Sequence, residues 1–239
     1  MTKIQWDKAG EKTFETGVDH GVLFPGTGGT YPKGVAWNGL TTVTESPSGA
    51  EASPQYADNQ KYLNLTSAEE FGGTIEAFTS PKEFDACDGT REAAPGVMIG
   101  QQNRQTFGFS YRTKVGNDTD GQDYAYKLHL VYGAQAAPSE KAYATVNDSP
   151  EAIAFSWEFT TTPIDPETDD ADGNALKPSA LLVIDSRTAD PAKLAALEAI
   201  LYGTDGSGSG SDARLPLPKE VIALMGGAAS VQQVANDGE

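Results

Sequence analysis

Apolar and polar residues alternate most cleanly over residues 106–115. Phe107, Phe109, Tyr111, Thr113 and Val115 fall on one face, and Thr106, Gly108, Ser110, Arg112 and Lys114 on the other. Period-two alternation predicts a strand with two different faces. Residues 124–132 repeat the pattern, with Tyr124, Tyr126, Leu128, Leu130 and Tyr132 opposite Ala125, Lys127, His129 and Val131. His129 on that polar side reads as a solvated side chain. The turn-rich run GNDTDGQD joins the two strands as a hairpin. Residues 152–162 give a third two-faced strand, with Ile153, Phe155, Trp157 and Phe159 on one side and Ala154, Ser156, Glu158 and Thr160 on the other. Three such strands predict an antiparallel sheet.

Two further strands are predicted at residues 35–43, broken at Asn38-Gly39, and at residues 72–79. Between them lies a polar excursion containing Pro47, Gly49 and Pro54, much longer than ordinary hairpin loops, and loops of that size in compact domains are usually functional or disordered. It is expected to be functional, and residues 45–61 have too few apolar residues to be ordered on their own. Ser80, Pro81 and Glu83 have the spacing of a capping box, which predicts a helix ending at Gly89. Residues 180–185 (ALLVID) suit a strand buried on both faces. Asp190 and Pro191 then open a helix with the stripe Leu194, Leu197, Ile200 and Leu201, closed by Gly203. Residues 204–212 read as a Gly/Ser linker, followed by a short helix near 219–225 and a mobile polar tail. Residues 1–33 show no sustained period and predict an arm with one short strand, and GTGGTYPKG at residues 26–34 reads as a Gly-rich turn. The expected fold is mainly β (α+β): an antiparallel β-sandwich or partial barrel with one or two flanking helices. Its parts are an N-terminal arm (1–34), the sandwich (35–203), and a linker with a C-terminal helix or arm (204–239).

Charge narrows the function classes. Thirty-four Asp and Glu against 17 Lys and Arg give a net charge of −17, which argues against a surface built to hold phosphates. No apolar run approaches the length needed to span a bilayer, and the N-terminus has no secretory apolar segment, so no membrane partner is expected. Asp118 and Asp120 before Gly121, and Asp170 and Asp172 before Gly173, look like calcium loops. Both lack an acidic residue at the first and twelfth positions that anchor such a loop. His20, His129 and Cys87 are the only histidines and cysteine, too few for a recognisable metal centre or nucleophilic triad, and Cys87 reads as a small buried hydrophobe. No cofactor and no enzymatic activity are expected.

Three long runs carry a resemblance: GVAWNGLTTVTESPSGAEASPQYADNQKYLNL, SAEEFGGTIEAFTSPKEFDACDG, and IGQQNRQTFGFSYRTKVGNDTDGQDYAYKLHLVYGAQAAPSEKAYATVNDSPEAIAFSWEFTTTP. They resemble the major tail tube protein of long, non-contractile-tailed bacteriophages, over roughly residues 34–224. The resemblance implies a virion protein made in the host cytoplasm, whose six-fold rings stack into the tail tube. Its partners would be further copies of itself, the tape measure, tail tip and tail terminator proteins, and double-stranded DNA passing through the lumen. The strands at 35–43, 72–79, 106–115 and 124–132 would then line the inner barrel, with Thr42, Thr74, Glu76, Ser110, Arg112, Lys127 and His129 as possible lumen-facing residues. The loop between the first two would stack on the neighbouring ring through Glu45, Ser46, Pro47, Ser48, Gly49, Pro54, Gln55, Tyr56, Asp58 and Tyr62. The rival expectation is an acidic extracellular β-sandwich module that binds calcium or glycan through its Asp-rich loops.

Overall fold

The computed structural model describes residues 3–146, 148–149, 151–170, 172–205 and 210–226. Its strands are β1 (Thr13–Pro25), β2 (Val35–Ala36), β3 (Leu40–Glu45), β4 (Ser48–Gly49), β5 (Ala52–Ala57), β6 (Gln60–Thr66), β7 (Glu69–Glu70), β8 (Gly72–Ala77), β9 (Arg91–Ala94), β10 (Val97–Ile99), β11 (Phe107–Asn117), β12 (Gly121–Ala136), β13 (Phe155–Thr161) and β14 (Leu181–Asp185). Two helices follow, α1 (Pro191–Tyr202) and α2 (Pro218–Met225). The protein is mainly β, with one large antiparallel sheet and no closed barrel.

That sheet runs β2-β1-β11-β12-β13-β8-β3, and β14 also pairs with β12. β12 meets β14 over Lys127–Val131 and β13 over Ala134–Ala136. Between the two stretches Gly133 takes a left-handed φ of 59°, and a Cβ there would lie 2.2 Å from the Thr162 carbonyl oxygen. Only glycine fits such a branch point. Beyond it the sheet divides into two layers that face each other. Trp37, Ile75, Phe84, Phe107, Phe109, Tyr111, Val131, Trp157 and Phe159 fill the space between β1-β11-β12 and β13-β8-β3. A second core on the opposite face joins Phe24, Leu128, Leu130 and Tyr132 to Leu194, Leu197, Leu201, Leu215 and Val221. The order is sheet, sheet, helices, so β11 is covered on both sides.

α1 forms as its ends predict, and α2 forms where a short helix near 219–225 is expected. Asp190 accepts from the Ala192 and Lys193 amides at 2.9 and 3.1 Å, Pro191 follows it, and Leu194, Leu197 and Leu201 are buried. Gly226 ends α2 in the left-handed region, φ 98°. The linker is bridged where it is described, because Thr204 pairs with Ser211 and the Arg214 amide returns to the Ile200 carbonyl. The polar tail after residue 226 and residues 206–209 lie outside the described residues.

Five expectations are corrected. The N-terminal arm carries a thirteen-residue strand, not a short one, and β1 pairs with β11 from Thr13↔Asn117 to Pro25↔Phe107. Its register shifts at Thr16/Val18 and Asp19/Val22, and each bulge reverses the in-out phase, which erases the period from the sequence. The capped helix at Ser80 reduces to a 3-10 turn, Lys82–Phe84, without a side-chain cap. Burial of Phe84 and Cys87 in the inter-sheet core, and the reversal at Gly89 (φ 78°), stop it from continuing. β14 is an edge strand with Val183 47% exposed, not one buried on both faces. β11 is not half solvated, being exposed only in part at Arg112–Lys114; Ser110 is fully buried, and its hydroxyl has no hydrogen-bond partner among the described residues. His129 is buried, not solvated.

Candidate assembly surfaces

The long excursion between β3 and β8 is a two-stranded ribbon. The Ser46 amide donates to the Gly72 carbonyl at 2.8 Å, then Ser48↔Glu70 and Gly49↔Glu69 pair, and β5 pairs with β6 from Ala52↔Thr66 to Ala57↔Gln60. Asp58 and Asn59 form the tip with φ of 50° and 62°, the left-handed pair that a two-residue hairpin turn of matching twist requires. Pro54 is tolerated because a two-stranded ribbon consists only of edges. Every residue from 44 to 70 is exposed, including Tyr56 (70%), Tyr62 (74%), Leu63 (40%) and Leu65 (58%). A lone hairpin of this kind is marginal in water because it buries little. Sequence reading placed Ser48, Gly49, Pro54, Gln55, Tyr56, Asp58 and Tyr62 in this element and missed Leu63 and Leu65. The signal was there: Tyr62-Leu63-Asn64-Leu65 alternates just after an Asp-Asn turn.

Glu45, at the foot of the ribbon, is an anchor and not a free loop residue. Its Oε1 accepts from the Tyr111 hydroxyl at 2.5 Å and lies 3.0 Å from His129 Nδ1, while His129 Nε2 is 3.0 Å from Thr113 Oγ1. The Tyr111 ring stacks on the imidazole, centroids 4.6 Å apart and planes 9° apart. Carboxylate, imidazole and hydroxyl stand in the order of a nucleophilic triad. Here the carboxylate is shared with a phenol and the imidazole is capped by a ring, so the group ties β3 to β11 and β12. His129 holds the Glu45 carboxyl below its ordinary value; burial opposes the shift and Tyr111 adds to it. A depressed carboxyl stabilises above its unfolded value and loses that contribution as pH falls through the folded value. Acidification below about pH 4.5, the ordinary value, should therefore lower the protection of the Ser46 amide relative to its intrinsic exchange rate at the same pH. Glu45→Gln should abolish that acid limb; an unchanged pH profile in the variant would contradict the anchor.

The seven possible lumen residues do not share a face. Thr42, Thr74 and Glu76 do, on the outer side of β3-β8-β13: Thr42 opposes Glu76 and Glu76 opposes Ser156, while Thr44 opposes Thr74 and Thr74 opposes Glu158. These three strands contain no Lys or Arg, so the surface consists of hydroxyls and carboxylates. The other four are corrected. Ser110 and Arg112 face the helices; Arg112 donates to both Asp19 oxygens at 3.0 and 3.3 Å and lies 4.7 Å over the Tyr126 ring. Burial alone would raise the Asp19 carboxyl, but Arg112 and His20 outweigh it and hold it low. Lys127 and His129 are on the opposite side of β12 from that, where Lys127 pairs with Glu15. Period-two reading could not separate them because the sheet is covered on both faces there.

A second exposed hairpin, β9–β10, follows the 3-10 turn. Residues 91–100 are all exposed, with Val97, Met98 and Ile99 at 54, 42 and 50%. Its base is tied down by Lys82 donating to Glu92 at 2.8 Å and the Gln102 amide to the Gly89 carbonyl at 2.9 Å. The Asp-rich turns are held internally: Asp118 accepts from the Gly10 amide, and Asp170 from the Asp172 and Asn174 amides. No helix among the described residues is long and apolar enough to cross a membrane. The folded chain thus presents a branched, helix-backed sheet with two uncovered ribbons. No protein-family model and no curated protein matches it.

Proposed function

We propose that the protein is a structural subunit that closes into six-fold rings and stacks them into a tube, as the resemblance to the tail tube proteins of non-contractile phages implies. The observation that carries this reading is the ribbon of residues 48–70, ordered as paired strands yet exposed at every position. A partner surface is needed to cover it, and further copies of the same chain are the partner that a repeating tube supplies. β3 has a bonded neighbour only in β8 among the described strands, which leaves an edge for ring closure, and closure removes the hazard of uncontrolled pairing. The polar face of Thr42, Thr44, Thr74, Glu76, Ser156 and Glu158 lines the lumen in this reading. Six copies would carry 6 × (−17) = −102 formal charges, and such a wall repels phosphate and lets DNA slide. The tape measure, tail tip and tail terminator proteins are the further partners, and the virion tail is the place of action.

No residue performs bond-making chemistry in this proposal. Burial pushes the Cys87 thiol up to about 12, so it stays protonated at neutral pH, and His129 is committed to the ribbon anchor. Amide exchange on subunit and tube tests the role of the ribbon. Amides of residues 52–66 should exchange quickly in the subunit and at least ~10-fold more slowly in the tube; equal rates in both would contradict it.

A further inference from the structure

The two uncovered ribbons leave the fold at opposite ends of one strand. β8 begins at Gly72, where the Ser46–Gly72 hydrogen bond closes the foot of the β5–β6 ribbon. It ends at Ala77, and the chain then passes through the 3-10 turn that ties down the base of β9–β10. Each ribbon pairs only with itself and exposes apolar side chains: Leu63 and Leu65 on one face of the first, and on the second Val97 and Ile99 on one face of β10 with Met98 on the other.

We propose that the β5–β6 ribbon of one copy docks on the β9–β10 hairpin of a second copy, which makes Val97, Met98 and Ile99 the receiving surface for stacking. The inference rests on the tube reading and adds the identity of the receptor. Three observations select this occupant. Two unlike patches at opposite ends make a heterologous contact, the kind that repeats without limit, whereas like ends meeting would stop at a pair. Between residues 48 and 70 the ribbon carries Glu51, Asp58, Glu69 and Glu70 against Lys61 alone, a net charge of −3 with Asp58 at its tip. On the hairpin, Arg91 donates only to the backbone carbonyls of Thr90 and Asn103 and has no carboxylate partner among the described residues. Asp58 meeting Arg91 would set the orientation, and the apolar side chains would supply the burial. At about 3.3 Å per residue the seven residues of β6 reach roughly 20 Å beyond the sheet, enough to cross a junction between rings.

Cysteine pairing tests it on the full chain, because Cys87 is fully buried and takes no part in coupling between subunits. Leu63→Cys is combined in one chain with Val97→Cys, Met98→Cys or Ile99→Cys, and the assembled protein is oxidised. At least one combination should give a ladder of covalent oligomers, because each copy links to the next, while single variants give none. Tubes without a ladder in any combination, or Leu63→Cys chains that couple to one another, would overturn the receptor and leave the tube reading standing. Failure of the unmodified chain to form tubes would overturn both. Met98→Asp should raise the concentration needed for stacking by about ten-fold or more with the subunit melting temperature unchanged; stacking at the normal concentration would overturn the proposal.

Discussion

Replacing residues 48–70 by two glycines should abolish tubes and leave the subunit folded. The excision point is set by geometry: the Ser46 amide already bonds the Gly72 carbonyl, so β3 and β8 can be joined there by a short turn. Nothing buried is removed, since the whole segment is exposed, and both cores keep every residue. Removing an exposed, non-contacting segment changes stability little, and a shorter loop between β3 and β8 lowers the entropy of closing it. Assembly behaves differently. In the proposed tube each docked ribbon would contribute aromatic and aliphatic burial, with a fully covered Leu worth about 1.5–3 kcal/mol, and a ring junction would repeat the contact at every subunit, so that a weak single docking becomes strong by multivalency. The shortened chain should therefore show a melting temperature within a few degrees (~3 °C) of the parent and no tubes at any concentration where the parent assembles. Tubes of normal length from the shortened chain would show that the ribbon is not the stacking element.

Phe84→Ala should have the largest effect on stability. Phe84 is 1% exposed and plugs the end of the inter-sheet core, its ring 4.6 Å from that of Trp37 and 5.5 Å from those of Phe107 and Trp157. A cavity bordered by three aromatic rings, Phe107 and Trp157 on separate strands and Trp37 on the connection between β2 and β3, collapses poorly, so the cost should be about 3–5 kcal/mol. In a chain of this size that lowers the melting temperature by roughly 6–20 °C. Ser80→Ala is the companion measurement. A capping serine would cost about 1 kcal/mol when removed, but Ser80 caps nothing here, so a change within about 0.5 kcal/mol is expected. A large loss from Ser80→Ala with a small one from Phe84→Ala would restore the capped helix and contradict the described packing. Both are read from denaturant unfolding.

Much of this architecture was legible in the sequence where one local rule acted alone. β12 and β13 followed from alternation, and α1 from its Asp-Pro start and Leu stripe. The failures occur where a long-range constraint overrides the local one. β1 was hidden because two bulges reverse its phase, and its thirteen residues are held by pairing with β11, almost a hundred positions away. The capping-box spacing at Ser80 was real, but a plug residue was worth more in the core than a helical turn at the surface. His129 and Ser110 looked solvated because alternation names two faces and cannot say that helices cover one and a folded-over sheet the other. The ribbon's strands were hidden by Pro54 and by their lack of any buried row. Thr42, Thr74 and Glu76 share one face of the sheet, which is readable because β3 and β8 alternate plainly. Arg112 and Lys127 could be placed only once the register set Arg112 opposite Leu128 and Thr113 opposite Lys127.

Negative-stain electron microscopy of the purified full chain over a range of concentrations tests the central claim most directly. The account predicts rings with six-fold symmetry that stack into tubes as concentration rises. Compact monomers at every concentration, with a melting temperature that increases on adding calcium, would contradict it and favour the calcium-binding module.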